Sequence, residues 1–121
     1  MYGIPADLDL AFLVGSEVVQ VCLGPFDVQV HFQPGASIHI TGGGWELKDQ
    51  GGQILDRASD APASERGPFL LHRLLGCRVR AIEVCPPDWL EVRFEEGLAL
   101  RIIDDSEQYE SFEIQPVGLI V

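Results

Sequence analysis

Apolar and polar residues alternate along two separate stretches of the chain. In the first stretch, residues 26–32 and 36–40 place an apolar side chain at every second position, on either side of a turn at Gln33-Pro34-Gly35. Alternation with a period of two is typical of a β-strand that buries one face and exposes the other. Pro and Gly between two such runs indicate a tight connection. The stretch therefore predicts a β-hairpin with one buried face.

The second stretch, from Trp89 to Ile114, has the same organisation followed by an acidic insertion. Residues 89–94 and 98–102 alternate around Gly97. If Phe94 pairs with Leu98 in this hairpin, Glu91 faces Arg101 across the strands, and we expect that pair to be exposed. In the first hairpin the same register pairs Gln29 with His39. After the acidic residues, Phe112-Glu113-Ile114 predicts a short last strand.

These similarities predict an internal repeat. Gly15 and Gly76 are separated by 61 residues, and the apolar positions after them match at the same offset until an insertion in the following turn changes the offset to 62. Self-similarity over this length indicates a duplicated structural unit. We assign residues 1–121 to a single domain, with the first copy at 4–47, a connecting surface loop at 48–68 and the second copy at 69–114.

Each copy is predicted to begin with a short helix and a bent strand. Ile4 to Leu13 and Phe69 to Leu75 are the helix candidates, and each ends before a glycine. In the following strand of each copy, apolar residues fall at i, i+3 and i+5, which strict alternation does not allow. A β-bulge restores the alternation. We therefore predict bulges near Val19-Gln20 and Arg80-Ala81.

The predicted fold is all-β, with two short helices. One copy offers a single apolar sheet face, which it cannot bury alone. Two copies can close on each other as a flattened barrel or a sandwich of six to eight antiparallel strands, with approximate two-fold symmetry. At 121 residues the chain is long enough to bury a core without disulfides or a metal.

The charge of the chain excludes some classes of partner. It has 19 acidic and 8 basic residues, a net charge of −11. Such a balance argues against binding to nucleic acid phosphates or to an anionic membrane surface, and it favours a basic protein partner. No apolar run approaches the ~20 residues of a membrane span, and the N-terminus lacks the basic region of a signal peptide. We expect a cytoplasmic protein.

No residue pattern identifies an enzyme or a metal centre. Cys22, Cys77 and Cys85 have no CxxC spacing, which favours reduced thiols over a disulfide framework or a zinc site. His31 and His39 lie on one outward strand face without a compelling third ligand. The glycines at 42–44 are not followed by a helix or by a Lys-Ser/Thr pair, so they do not form a phosphate loop. We assign no catalytic residue, metal ligand or cofactor.

The acidic insertion is the candidate protein-binding surface. It lacks the DxDxDG spacing of a calcium loop. Aromatic residues surrounded by carboxylates are typical of a binding hot spot with a polar rim. A solvated loop that protects a sheet edge is the alternative. The candidate residues are Asp104, Asp105, Glu107, Tyr109, Glu110 and Phe112.

Three motifs carry a resemblance to a protein family. They are Leu74-Leu75-Gly76, the hairpin from Leu90 to Leu100, and Tyr109-Glu110-Ser111-Phe112-Glu113-Ile114. In these motifs, and over nearly its whole length, the chain resembles a widespread family of small, uncharacterised bacterial proteins. Members of that family resemble the acidic immunity proteins that neutralise secreted bacterial toxins. The resemblance implies a non-enzymatic role and supplies no catalytic residue.

The sequence therefore favours a non-enzymatic cytoplasmic binding protein, immunity-like, that presents an acidic surface to a basic protein. Two alternatives stay open. One is a small-molecule- or metal-dependent enzyme with a cleft between the two copies. The other is a structural domain that forms a homodimer through its sheet edges.

Overall fold

The computed structural model describes residues 4, 8–25, 27–41, 44–59, 61–62, 64–104, 112–115 and 119–120. These residues form ten strands, which confirms the all-β prediction and exceeds the six to eight strands expected. The strands are β1 Glu17–Leu23, β2 Val28–Gln33, β3 Ala36–Ile40, β4 Gly44–Lys48, β5 Ile54–Arg57, β6 Val79–Cys85, β7 Trp89–Phe94, β8 Ala99–Ile103, β9 Phe112–Gln115 and β10 Leu119–Ile120.

The strands form two antiparallel sheets that exchange one strand. The first sheet has the order β1-β2-β3-β9-β10, and the second has the order β5-β4-β8-β7-β6. After β3 the chain does not continue in the first sheet, because β4 pairs with β8. After β8 the chain returns, and β9 pairs with β3. The first sheet is therefore built from both ends of the chain, and the second sheet from the residues between them, 44–103.

Both predicted hairpins have the expected register and bury the expected face. In the first, Gln29 lies opposite His39. In the second, the Phe94 N–H donates to the Leu98 carbonyl at 2.9 Å and Glu91 lies opposite Arg101. The inward side chains of both hairpins and of β4 and β9 belong to one apolar cluster shared by the two sheets, whose strand members include Val30, Ile38, Leu47, Val92, Ile102 and Ile114.

The two predicted β-bulges are confirmed. The pairing of β1 with β2 shifts between Val18 and Gln20, and the pairing of β6 with β7 shifts between Val79 and Ala81. In each strand the extra residue moves the following side chains back to the correct face, because side-chain direction alternates with each residue.

The two sheets meet where β1 and β6 begin. Glu17 and Arg78 form a single antiparallel bridge between them. Around it, Val18 N–H donates to Cys77 O at 3.0 Å and Val79 N–H donates to Ser16 O at 2.9 Å. Apart from this bridge, the described strands form two separate five-stranded ladders, so they do not close into a barrel.

The predicted helices are shorter than expected. The described residues contain two 3₁₀ helices, Ala11–Leu13 and Leu71–Leu74. Each supplies fully buried leucines, Leu13 in the first and Leu71 and Leu74 in the second. Each is followed by a glycine with positive φ, Gly15 at 88° and Gly76 at 83°. A single helical turn is enough to place these leucines in the core. The glycine that follows allows the chain to change direction, because its φ is positive.

Part of the segment 48–68, predicted as a connecting surface loop, forms a strand of the second sheet. It contains β5, which pairs with β4. Asp56 in β5 is 9% exposed and accepts hydrogen bonds from Leu70 N–H at 2.7 Å and from Arg66 Nη2 at 2.9 Å. The Arg66 guanidinium lies 3.7 Å from the ring centre of Phe69. A buried carboxylate with these partners holds the segment in place.

Candidate functional site

Two of the six candidate protein-binding residues lie in the described part of the chain. Asp104 follows β8 and is half-buried, and its N–H donates to the carbonyl of Asp88 at 2.8 Å. Phe112 begins β9. Asp105, Glu107, Tyr109 and Glu110 lie outside the described residues, so their part in the candidate surface stays a prediction.

Phe112 is a core residue and does not present its ring to a partner. Its side chain is 1% exposed, and it lies opposite Ile40 of β3. The reason is the alternation of β9, which turns Phe112 and Ile114 into the core and leaves Glu113 on the outer face. The expectation that Phe112 forms part of an exposed aromatic surface needs this correction, and Tyr109 is the remaining aromatic candidate.

The outer face of the first sheet carries polar side chains that contact one another. His39 Nε2 lies 2.8 Å from Asp27 Oδ2, and His39 lies opposite Glu113 of β9. His31 Nε2 lies 2.9 Å from Gln29 Oε1. Among the described residues, no group of three His, Cys, Asp or Glu side chains is placed to hold a metal ion. The face offers carboxylates and imidazoles to a partner.

The positive charges of the chain are confined to its middle. Residues 1–47 and 102–121 together contain ten carboxylates and no Lys or Arg. Residues 48–101 contain the other nine carboxylates and all eight Lys and Arg residues. A net charge of −10 therefore belongs to the two ends of the chain and only −1 to the middle. This separation is visible in the sequence, although the total charge conceals it.

The strand exchange converts this separation along the chain into a separation in space. The strands of the first sheet come from residues 17–40 and 112–120, and they contain no Lys or Arg. The strands of the second sheet contain Lys48, Arg57, Arg80, Arg93 and Arg101. Because β9 returns to β3, both Lys- and Arg-free ends of the chain join in one sheet.

The outer face of the second sheet has a buried carboxylate among cations, which we call the Glu91 cluster: Glu91, Arg93, Arg101 and Lys48. Glu91 is 5% exposed. It accepts hydrogen bonds from Arg93 Nε at 2.9 Å and Arg101 Nε at 3.1 Å, and Lys48 Nζ lies 3.9 Å away. The predicted Glu91–Arg101 pairing is confirmed, but its predicted exposure is wrong, because neighbouring side chains cover the carboxylate.

Two further contacts position the arginines of this cluster. Arg93 also pairs with Glu83 of β6. The Arg101 guanidinium stacks on the Trp89 ring, 3.8 Å from its centre. Burial raises the pKa of Glu91, but the hydrogen bonds from Arg93 and Arg101 outweigh burial, so the pKa lies below its ordinary value. Glu91 is therefore a permanent anion at neutral pH.

Two open cavities lie beside these elements. One, of about 440 Å³, lies over the outer face of the second sheet and is lined by all four residues of the Glu91 cluster and by Arg80. The other, of about 700 Å³, lies along β5 and the segment that follows it, from Ile54 to Leu70. Both are surface depressions built from the middle of the chain.

The thiols show no sign of activation. Cys22, Cys77 and Cys85 are free. Burial raises the pKa of Cys77 to about 11, and the Glu96 carboxylate adds to that rise. A reactive cysteine needs a lowered pKa and access to solvent. Cys77 has the opposite properties, which are those of a core residue.

Comparison with known proteins gave no match to a family model, to a curated protein or to a solved structure. The resemblance to a family of small bacterial proteins therefore stays an expectation. Within the described residues, no helix is long and apolar enough to cross a membrane. The fold defines a two-sheet antiparallel β protein with an exchanged strand and a sharp separation of charge.

Proposed function

We propose that this chain is a non-enzymatic cytoplasmic binding protein that presents its first sheet, and the acidic segment leading into that sheet, to a positively charged protein. The observation that carries the proposal is the absence of Lys and Arg from residues 1–47 and 102–121, which contain ten carboxylates. A field of one sign over one side of a protein steers a partner of opposite charge and repels others.

The polar groups of the first sheet support this assignment. Asp27 and His39 are about one-third exposed at their side chains, and Glu113 lies opposite His39. The acidic segment from Asp104 to Glu110 connects β8 to β9 in the chain. β9 belongs to the first sheet, where it pairs with β3. Tyr109 lies within that acidic segment in the sequence, and an aromatic ring among carboxylates is suited to a hot spot.

The class of partner follows from the chemistry of this surface. Basic proteins that act on nucleic acids or membranes carry the complementary charge, and an acidic protein that covers such a surface blocks its action. The resemblance to toxin-immunity proteins points to a partner of this kind. The proposal is therefore an immunity-like protein whose partner is a basic toxin.

We also propose that the two sheets descend from two copies of one unit. Matching bulges, matching positive-φ glycines and the exchange of β4 for β9 support this proposal. So do two reciprocal hydrogen bonds: Gly15 N–H to Val79 O and Gly76 N–H to Val18 O, both 2.8 Å. Duplication explains why the two hairpins share a register although only the second carries cations.

A titration with a lysine-rich peptide tests the charged surface. Amide chemical shifts are recorded as the peptide is added at low salt. We expect the largest shifts in β2, β3, β9 and the 104–111 segment, and their loss as salt is raised, because screening weakens exposed charge pairs. Shifts concentrated in β6 and β7 would contradict the proposal.

A matched pair of variants separates position from net charge. Asp27→Asn with Glu113→Gln removes two negative charges from the first sheet, whereas Glu65→Gln with Glu95→Gln removes two from the middle of the chain. We expect the first pair to weaken peptide binding and the second to leave it nearly unchanged. Equal effects would mean that only total charge matters.

A further inference from the structure

We propose that the outer face of the second sheet is a binding site for a small organic anion, whose carboxylate or phosphate group is held by Lys48, Arg80 and Arg101. This site is separate from the surface proposed for the basic partner, because it lies on the other sheet. It requires neither a partner protein nor the acidic segment.

The cavity has the size and walls of a small-molecule site. Its volume of about 440 Å³ falls in the usual range for such sites, roughly 300–1,000 Å³. The β4–β5 turn forms one wall and the β7–β8 turn another. The two turns touch, since a Cβ on Gly97 would lie 3.1 Å from Gln50 Cβ. A ligand would therefore lie above the strands, against the two joined turns.

The cavity lining contains four cations and four carboxylates, so the case for an anion rests on where the cations lie and not on a net positive charge. Four of the eight Lys and Arg residues of the chain line it: Lys48, Arg80, Arg93 and Arg101. Glu91 offsets one charge, and Glu83 outside the cavity offsets a second through Arg93. Lys48 Nζ, 3.9 Å from Glu91, is beyond hydrogen-bond distance. Among the described residues, no carboxylate pairs with the exposed side chain of Arg80.

The acidic residues around the cavity limit the size of the ligand. Asp49, Glu95 and Glu96 also line it, and they belong to the two turns. They would repel the flanking phosphates of a polyanion such as a nucleic acid. A compact anion can reach the cations on the strands without approaching several carboxylates. The charge pattern therefore selects a small ligand.

Arg101 is held in a geometry suited to a planar anion. Its Nε donates to Glu91 and its guanidinium plane stacks on Trp89. These contacts fix the plane while leaving the terminal Nη groups as donors. A guanidinium held in this way binds a carboxylate or a phosphate with two parallel hydrogen bonds and loses little side-chain entropy on binding.

The fold itself does not require this cluster. In the first sheet the same positions of the hairpin are taken by Gln29 and His39, and that hairpin has the same register. A largely buried ion pair contributes little to stability compared with neutral residues of similar volume. The hairpin register alone therefore does not account for the cations over the second sheet.

Titration with two probes, inorganic phosphate and succinate, tests the site. Amide shifts are followed at constant ionic strength, because a change in screening would imitate binding. We expect saturable shifts in residues 48–52 and 95–101. A response to phosphate alone assigns the site to a phosphate group, and a response to succinate alone assigns it to a carboxylate. The absence of a saturable response to either probe overturns the proposal.

Two variants with a matched control assign the effect to the cavity. Arg80→Gln and Lys48→Gln should each weaken binding of the responding probe by about tenfold, the usual effect of losing one charged hydrogen bond. Arg73→Gln removes the same charge from an exposed arginine outside the cavity lining and should leave affinity unchanged. Equal weakening by Arg73→Gln would overturn the proposal in favour of diffuse attraction. Charge variants of the first sheet should not affect the probes.

Discussion

Glu17 and Arg78 face each other at a bridge between the two sheets, with Arg78 Nη2 3.4 Å from Glu17 Oε1. Their side chains are 39% and 55% exposed, so this ion pair contributes little to stability, about 0–1 kcal/mol. The backbone joins the sheets instead, through hydrogen bonds on both sides of the bridge. Gly15 and Gly76 make the outermost of these bonds.

Replacing either junction glycine by alanine should destabilise the protein by about 1–2 kcal/mol, the usual cost of a left-handed conformation for a residue with a Cβ. Both glycines have φ above 80°, and a Cβ at either would touch nothing within 4 Å. The cost is therefore one of backbone conformation alone. Urea unfolding of Gly15→Ala and Gly76→Ala measures it.

Gly35→Ala is the control for this pair. A Cβ at Gly35 also meets nothing within 4 Å, but Gly35 has no positive φ. That substitution should be neutral or should stabilise by up to about 1 kcal/mol, because it restricts the unfolded chain. Similar losses at all three glycines would show that the conformation of the junction is not responsible.

Glu91→Gln should destabilise the protein at neutral pH by about 2–3 kcal/mol, the range for hydrogen bonds between charged groups. The folded-state pKa of Glu91 is lower than its ordinary value of 4.5. The contribution is therefore complete above pH 4.5 and disappears as the pH falls through the folded-state pKa. Unfolding measured from pH 7 to pH 3 should show the two proteins converging in acid.

The exposed partner Glu83 provides the comparison for this pH series. Its side chain is 46% exposed and pairs with Arg93. Glu83→Gln should change the free energy of unfolding by less than about 1 kcal/mol at any pH. If Glu83→Gln showed the same pH dependence of unfolding as Glu91→Gln, burial of the Glu91 carboxylate would not explain that pH dependence.

Strand patterns and hairpin registers could be predicted because they depend on local alternation. The bulges at Val18/Gln20 and Val79/Ala81 followed from two steps of odd length between apolar residues. The strand exchange could not be predicted. Trp45 and Phe112 each lie in a short strand with one apolar face, and such a strand can bury that face at the edge of either sheet.

The candidate site was also predicted only in part, because local sequence does not show which strands pair. Phe112 looks like a surface aromatic when its acidic neighbours are considered alone, but its alternation with Ile114 determines its direction. Glu91 looks exposed because a carboxylate on a strand usually is. One of its neighbours, Lys48, lies 3.9 Å away on β4, and β4 lies beside β8 only because of the exchange. The hairpin sequence predicts the Glu91–Arg101 pair, whereas the place of Lys48 in the cluster depends on the tertiary pairing of β4 with β8.

Alkylation should separate the three thiols. Because burial raises the pKa of Cys77 from its ordinary 9.0 to about 11, its thiolate fraction at pH 8 should fall about 100-fold, and burial limits access further. Cys22 and Cys85 are half-exposed. With iodoacetamide and peptide mass mapping, Cys77 should react last, and all three should react alike in denaturant. Labelling of native Cys77 as fast as that of Cys85 would contradict the assignment.

Asp56→Ala should destabilise the protein by about 2–4 kcal/mol, because it removes the carboxylate that accepts from the half-buried Leu70 N–H and pairs with Arg66. Asp56→Asn keeps one acceptor oxygen and should lose less. Urea unfolding measures both, with Glu65→Gln on the same segment as an exposed control. Proteolysis should be faster between residues 57 and 70 in Asp56→Ala, since Asp56 binds that segment to β5. An Asp56→Ala protein with wild-type stability and unchanged cleavage would show that the stack of Trp45 on Phe69, with ring centres 6.4 Å apart, holds the segment without the carboxylate.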